Sequence, residues 1–147
     1  MNSSLIYLTQ TDTTVGFLSN DDKKLASAKQ RDAQQKTLQV VATYRNLKKQ
    51  VRVPHKHKKF IRNAKTTTFI YPNSLAFRVI DKESSHQNFL QKFDLMYSTS
   101  ANKTKNGFDE NYALQKCDIA VYTKDQFVEK QASKIYKINK TKIKKIR

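Results

Sequence analysis

Six short apolar runs, each three to five residues long, recur along the chain and are separated by polar or amphipathic stretches. Runs of this length are typical of buried strands, whereas helices need longer periodic patterns. Strands that alternate with helical patterns predict an α/β fold. The predicted strands cover residues 5–8, 38–42, 67–71, 76–80, 95–97 and 118–122.

Helical patterns fill four of the gaps between these strands. Asp21 and Asp22 suit a helix start, and Leu25 and Ala28 follow at helical spacing. Further helices are predicted after Pro54, over residues 86–93 and over residues 109–116. The turn at residues 72–74 is so short that the strands on either side of it should pair antiparallel. We therefore expect a single-domain α/β fold with a twisted, mixed β-sheet flanked by helices.

Length and residue content exclude several classes of protein. The chain has 147 residues, which suits one domain over residues 1–147. It contains two glycines, so a glycine-rich phosphate loop of the P-loop or dinucleotide-binding type is excluded. The one cysteine, Cys117, excludes an internal disulfide and suits a reducing compartment. No apolar run approaches the ~18 residues of a membrane-spanning helix, so we expect a cytoplasmic protein with no membrane contact.

The net charge of +17 favours a polyanionic partner, and RNA or a nucleotide is the first candidate. Nine of the basic residues lie within residues 45–65, which contain no acidic residue. Seven more lie in the tail at residues 133–147, and a basic tail is predicted over residues 134–147. Two interpretations stay open for the charge, RNA contact or a compositional bias toward lysine. Two also stay open for the tail, an edge strand protected by lysine or an RNA-binding segment.

Three polar stretches interrupt the apolar runs at residues 11–16, 29–31 and 98–102. The third follows the strand at residues 95–97, and ligands of α/β sheets bind beyond the carboxyl ends of strands. Hydroxyl and amide side chains there can hold phosphate or carboxylate oxygens without a metal. The alternative is a serine- and asparagine-rich turn that hydrogen-bonds its own backbone.

Other combinations of residues are weaker candidates. His55 and His57 are spaced by two, which on a helix turns the rings apart and disfavours a zinc site. His86 lies on an apolar helix face, where we expect a packed or capping histidine. Cys117 adjoins Asp118, whose charge raises the pKa of a thiol, so a nucleophilic role is not expected. No metal site is predicted.

In order along the chain, the polar stretches resemble motifs of the YrdC/TsaC family of threonylcarbamoyl-adenylate synthases. The family's Pro-Thr-Asp-Thr-Val-Tyr-Gly corresponds to Gln10-Thr11-Asp12-Thr13-Thr14-Val15-Gly16, and its Lys-x-Arg to Lys29-Gln30-Arg31. Its Lys-Pro-Leu corresponds to Lys36-Thr37-Leu38, its Val-Arg-Val-Pro to Phe77-Arg78-Val79-Ile80, and its Pro-Ser-Thr-Ile to Ala132-Ser133-Lys134-Ile135. Its Ser-Thr-Ser-Ala-Asn is unchanged at residues 98–102. The chain resembles a short, divergent member, because several glycines and prolines of the family pattern are absent.

The resemblance implies an enzyme that joins L-threonine, bicarbonate and ATP into threonylcarbamoyl-AMP and pyrophosphate, for the threonylcarbamoyl modification of tRNA adenosine. Magnesium would arrive with ATP. By resemblance, Thr11, Thr13 and Arg78 would bind threonine. The residues that would bind ATP by resemblance are Lys29, Arg31, Thr68, Ser98, Ser100, Asn102 and Ser133. The implied partners are tRNA or double-stranded RNA and proteins that transfer the carbamoyl group.

Two alternatives to this enzyme stay open from the sequence. One is a non-catalytic relative that binds RNA through residues 45–65 and the tail, since one fold can host unrelated functions. The other is a paralogue that uses a different carbamoyl acceptor. From the residues alone, Arg78 is a strand arginine, and most strand arginines point to solvent.

Overall fold

The computed structural model describes residues 1–32, 34–124 and 126–147. In these ranges, strands and helices alternate along the chain. The strands are β1 (Tyr7–Gln10), β2 (Val15–Ser19), β3 (Leu38–Val41), β4 (Thr67–Ile70), β5 (Ala76–Val79), β6 (Leu95–Ser100), β7 (Ile119–Val121), β8 (Lys134–Ile138) and β9 (Ile143–Lys145). The α-helices are α1 (Asp22–Lys29), α2 (Tyr44–Gln50), α3 (Lys58–Asn63), α4 (Ser85–Leu90) and α5 (Glu110–Lys116), and a 3₁₀ turn (His55–His57) precedes α3.

The strand pairings are mixed. β1 pairs antiparallel with β2, β2 with β6, β4 with β5, and β8 with β9. β1 pairs parallel with β7, β3 with β5, and β4 with β8. The predicted α/β class, a mixed sheet flanked by helices, is therefore confirmed, as is the antiparallel pairing across residues 72–74.

The chain folds into two compact units, each built from two separate stretches of sequence. Unit 1 comprises Met1–Thr37 and Met96–Ala132, and its strands lie in the order β7-β1-β2-β6. Its core packs Leu8 and Phe17 of the sheet against Leu25 of α1 and Ala113 of α5. Helix α1 begins at the predicted place, because the carboxylate of Asp21 accepts a hydrogen bond from the backbone N–H of Lys24.

Unit 2 comprises Leu38–Leu95 and Ser133–Arg147, with the strand order β3-β5-β4-β8-β9. Val41, Phe69 and Phe77 of its strands pack against Leu47 of α2 and Ile61 of α3. The basic residues of α2 and α3 remain on the outside, which is the amphipathic arrangement expected of a helix that covers a sheet. The tail contributes two strands, and β9 lies at the end of this order.

Three elements differ from the sequence-based prediction. The sequence-based prediction ends the first strand at residue 8 and gives residues 11–16 as a polar stretch, but Thr9 and Gln10 extend β1, and Val15 begins β2. It also ends the next-to-last predicted strand at residue 97, but residues 98–100 continue β6 because they pair with residues 16–18 of β2. The sequence-based prediction does not include helix α2. Leu47 is its one fully buried residue, and a single buried residue gives no helical periodicity of apolar positions.

No helix in the described ranges is long and apolar enough to cross a membrane.

We expect Gly16→Ala to destabilise the protein. A Cβ at Gly16 would lie 2.8 Å from Thr11 Cγ2 and 3.2 Å from the carbonyl oxygen of Thr99. Thr11 is β-branched and cannot turn aside freely, so the free energy of unfolding should fall by about 1–3 kcal/mol, the usual cost of overpacking. Urea denaturation measures this change in the free energy of unfolding.

The matched control is Gly107→Ala, since a Cβ added there would have no atom of the described residues within 4 Å apart from its chain neighbours. Its unfolding free energy should stay within about 0.5 kcal/mol of the wild-type value. Equal stability of the two variants would contradict the tight fit at Gly16.

Candidate active site

Lys29, at the end of α1, meets the serine-asparagine segment in unit 1. Its Nζ lies 2.6 Å from Ser100 Oγ, 3.1 Å from the Ser100 carbonyl oxygen and 3.1 Å from Asn102 Oδ1. Each of these atoms accepts a hydrogen bond, so the three protons of the ammonium have partners. Three residues predicted for the site, from two separate motifs, are thus in direct contact.

The environment of Lys29 makes its charge easier to lose. Partial burial of the amine, together with the positive charge of nearby Arg31, lowers its pKa from 10.5 to about 8. Because the folded protein holds this proton less tightly than the unfolded chain, the contribution of Lys29 to stability becomes more favourable as pH rises from about 8 to 10.5. At neutral pH the ammonium is still charged and can bind an anion.

Two side chains outside the predicted set hold the end of α1 in place. The hydroxyl of Thr104 donates a hydrogen bond of 3.0 Å to the carbonyl oxygen of Lys29, and the phenol of Tyr112 donates to that of Ala28. These carbonyls have no partner within the helix, so both contacts fix the base of the Lys29 side chain. The sequence predicts the helix that carries Tyr112, but not which of its residues reaches α1.

Arg31 follows α1 after a single residue, Gln30, which has left-handed backbone (φ 55°). Its Nη2 donates a hydrogen bond to Thr37 Oγ1 and lies 3.8 Å from Asp22 Oδ1. The side chain is 10% exposed, and its Nε has no hydrogen-bond partner among the described residues. A buried N–H without a partner is costly, so the Arg31 Nε–H is an unsatisfied group of this site.

Thr11 and Thr13 build the turn between β1 and β2. The hydroxyl of Thr11 donates to the carbonyl of Thr14 at 2.6 Å and accepts from the backbone N–H groups of Thr13 and Thr14. The Thr13 hydroxyl lies 3.3 Å from that of Thr11. The Thr11 hydroxyl proton is therefore engaged in the turn itself, which is the local bonding typical of such sequences.

A cavity of about 310 Å³ in unit 1 adjoins the acceptors of Lys29. Ser100 and Asn102 line it, together with Phe108 and Glu129. The segment that carries Glu129 is tied down by two contacts: Glu129 Oε1 accepts from the Phe108 N–H at 2.7 Å, and the side-chain amide of Gln10 exchanges two hydrogen bonds with the Val128 backbone. The volume lies at the lower end of the range for small-molecule sites, about 300–1,000 Å³.

In unit 2, Arg78 is buried, with 4% of its surface exposed, so the alternative that it points to solvent is wrong. It lies opposite Thr68 in the β4–β5 ladder. Beside it, His86 of α4 is 2% exposed and is therefore a packed histidine, one of the two roles expected for it. The other role, capping the helix, belongs to Ser84, which is the N-cap of α4. Burial, and then the charge of Arg78, lower the pKa of His86 to about 3, so its imidazole is neutral at physiological pH.

Thr68 and Ser133 meet in unit 2, with their hydroxyl oxygens 3.0 Å apart. Arg147 reaches the same place: its Nε donates to the Ser133 carbonyl at 2.9 Å, and its Nη2 lies 3.4 Å from Ser133 Oγ. The resemblance names Thr68 and Ser133 but not Arg147, which has no counterpart in the motifs. Ser98, the remaining predicted residue, is buried in β6 of unit 1 opposite Leu18.

Within residues 1–32, 34–124 and 126–147, no three His, Cys, Asp or Glu side chains form a group that could hold a metal ion. In the 3₁₀ turn, His57 is buried and His55 is exposed. Burial raises the pKa of the Cys117 thiol, and the charge of Asp118 raises it further, so the thiolate is disfavoured.

No protein-family model and no curated protein sequence matches the chain. Several solved structures do share its fold. MTH1692 from Methanobacterium thermoautotrophicum aligns with a TM-score of 0.71 and 14% identity, over 98% of this chain and 80% of that one. A variant of P. abyssi Sua5 aligns with a TM-score of 0.78 and 13% identity, over 98% of this chain and 52% of that one. The chain has a YrdC-like fold.

Two further structures have bound ligands. P. abyssi Sua5 complexed with L-threonine aligns with a TM-score of 0.72 and 13% identity, over 92% of this chain and 47% of that one. Full-length HypF in a phosphate- and nucleotide-bound form aligns with a TM-score of 0.72 and 15% identity, over 98% of this chain and 27% of that one. This YrdC-like chain therefore spans about half of Sua5 and about a quarter of HypF.

The pKa of Lys29 should be measurable as about 8 by following its side-chain carbon resonances through a pH titration. Arg31→Gln should raise this pKa, because it removes the neighbouring positive charge, whereas Arg31→Lys should leave it low. A wild-type midpoint near the ordinary value of 10.5 would contradict the environment described.

Proposed function

We propose that this protein is an L-threonylcarbamoyladenylate synthase, a nucleotidyltransferase that makes threonylcarbamoyl-AMP and pyrophosphate from L-threonine, bicarbonate and ATP. The observation that carries the proposal is the contact of Lys29 with Ser100 and Asn102 beside a cavity in unit 1. These residues come from two separate motifs of the resembled family. A structural neighbour that was solved with L-threonine adds support.

The reaction needs alignment and charge neutralisation more than covalent chemistry by the protein. The threonine amine attacks the carbon derived from bicarbonate and forms a carbamate with loss of water. A carbamate oxygen then attacks the α-phosphorus of ATP, the bond to the bridging oxygen breaks, and pyrophosphate leaves. Magnesium enters as the counter-ion of ATP.

The residues of unit 1 fit the nucleotide side of this reaction. The positive charges of Lys29 and Arg31, which lie close together, attract the phosphate groups of a nucleotide. Ser100 and Asn102 hold Lys29 and line the cavity, so a ligand there would meet the same hydroxyl and amide. We assign Ser98 to the nucleotide as well, by resemblance.

The remaining roles also follow the resemblance. Arg78 is assigned to the threonine carboxylate, since a guanidinium fits a carboxylate with two parallel hydrogen bonds, and Thr11 and Thr13 are assigned to the same substrate. Thr68 and Ser133 are assigned to ATP. We propose that the product serves tRNA modification in the cytoplasm, through proteins that transfer the carbamoyl group.

We expect threonine-dependent release of pyrophosphate when the protein is incubated with ATP, bicarbonate and L-threonine. Lys29→Ala and Arg31→Ala should each lower the rate by about 100-fold or more, because each removes a charge that stabilises the transition state. The assay follows labelled pyrophosphate.

The matched control is Lys23→Ala, since Lys23 is an exposed lysine of the same helix. Its rate should equal that of the wild type. Activity that survives both Lys29→Ala and Arg31→Ala would refute the site assignment.

A specific surface of unit 2 favours a second candidate function, non-catalytic binding of RNA such as tRNA or a double-stranded RNA. Phe60 of α3 is 45% exposed, and its ring meets the ring of Tyr136 edge-on at 5.3 Å. Lys56, Lys59 and Phe60 line a surface hollow of about 480 Å³. Lys145 of β9 pairs with Tyr136 and so lies on the same face of the sheet. Aromatic rings among lysines are typical of surfaces that bind unpaired nucleotides.

If this surface binds RNA, the affinity for a tRNA transcript should fall steeply with salt concentration. Phe60→Ala should weaken binding about 5- to 100-fold through lost stacking, and Lys56→Gln with Lys59→Gln should reduce the salt slope by about 1 to 2. Fluorescence anisotropy at several salt concentrations measures both.

Lys82→Gln, at an exposed lysine of unit 2 outside this surface, is the control for net charge. An equal loss of affinity in Lys82→Gln and Phe60→Ala would contradict a defined RNA surface. Calorimetry with ATP and L-threonine separates the two functions, since the non-catalytic protein should bind neither.

A further inference from the structure

Arg31 is connected to the start of α1 by a chain of two hydrogen bonds. Thr37 Oγ1 accepts a hydrogen bond from Arg31 Nη2 and donates one to Asp22 Oδ1. Thr37 is 5% exposed and the Arg31 side chain is 10% exposed, so water competes little for the contact between them, whereas the Asp22 side chain is 32% exposed. The first residue of α1 is thereby joined to two residues of the segment that follows the helix.

The direction of these hydrogen bonds is fixed by their end groups. A guanidinium can only donate and an ionised carboxylate can only accept, so the Thr37 proton must point to Asp22 and its lone pair to Arg31. Hydrogen bonds to charged partners are the stronger ones. Arg31 is thus held at Nη2, while its buried Nε–H stays without a partner among the described residues.

Thr37 stands where the resembled motif, Lys-Pro-Leu, has proline. Proline has no side-chain donor or acceptor, so it cannot form this connection. Neither Asp22 nor Thr37 is among the residues that the resemblance assigns to a ligand. The connection is therefore a feature of this chain.

We propose that Asp22 and Thr37 are positioning residues, which hold the Arg31 guanidinium by one nitrogen in the orientation from which it contacts a phosphate group of the nucleotide. This inference rests on the proposed function for the identity of the ligand. The connection itself involves only residues of this chain.

The first test needs no ligand. NMR of the Arg31 side chain reports rotation about its Nε–Cζ bond, which a hydrogen bond at Nη2 slows. Thr37→Val, which keeps the shape but loses the hydroxyl, should speed this rotation about tenfold, as expected for loss of one hydrogen bond to a charged group. Thr37→Ser should restore slow rotation, and Asp22→Asn should give an intermediate rate.

Asp32→Asn is the matched control, because it also removes one negative charge next to Arg31 in the sequence. Asp32 is exposed, and its carboxylate accepts a hydrogen bond from the Gln34 N–H rather than from Arg31. It should leave the rotation unchanged. Rotation that is equally fast in the wild type and in Thr37→Val would overturn the proposal.

The second test measures ATP affinity by calorimetry. Thr37→Val should weaken binding about tenfold, and Thr37→Ser should stay within about twofold of the wild type. In an Arg31→Ala background, Thr37→Val should have no further effect, because Thr37 acts through Arg31. A full effect in that background would overturn the positioning role and indicate a purely structural one.

The two tests separate this inference from the proposed function. If the wild type binds no ATP, the proposed function fails and the ligand assigned to Arg31 fails with it. The NMR result then still decides whether Asp22 and Thr37 hold the guanidinium.

Discussion

The hydrogen bonds of the Lys29 ammonium are the interaction on which the candidate site depends. They join the end of α1 to the end of β6, two segments about seventy residues apart in the chain. A partly buried amine is costly unless its protons are satisfied, and the Ser100 and Asn102 oxygens satisfy them. Ser100 and Asn102 also line the cavity, so the residues that stabilise the charge of Lys29 belong to its wall.

The site concentrates positive charge around the end of one short helix. Lys29 and Arg31 are close enough for the charge of Arg31 to lower the pKa of Lys29. Asp22 lies 3.8 Å from Arg31 and offsets part of this repulsion. A bound phosphate would offset the rest, so an anion that binds here gains part of its affinity from relieving the repulsion between the two cations.

Much of the fold could be predicted from the sequence because buried strands and capped helices leave local patterns. The apolar runs indicate most strands, and Asp21 marks the start of α1. Strand β2 escapes prediction because its pairing with β1 and β6, rather than its own composition, makes residues 15–19 extended. The motif residues are found by resemblance, but the contacts that Asp22, Thr37, Tyr112 and Arg147 make with other segments leave no local pattern in the sequence.

The left-handed backbone of Gln30 has a geometric consequence for the triplet Lys29-Gln30-Arg31. In an uninterrupted helix, residues two apart project roughly 200° from each other, so the amine and the guanidinium would point in opposite directions. Ending the helix at the intervening residue redirects the chain, and Arg31 then lies near enough to Lys29 for its charge to lower the pKa of the amine. The middle position is therefore constrained by backbone shape even though its own side chain is exposed.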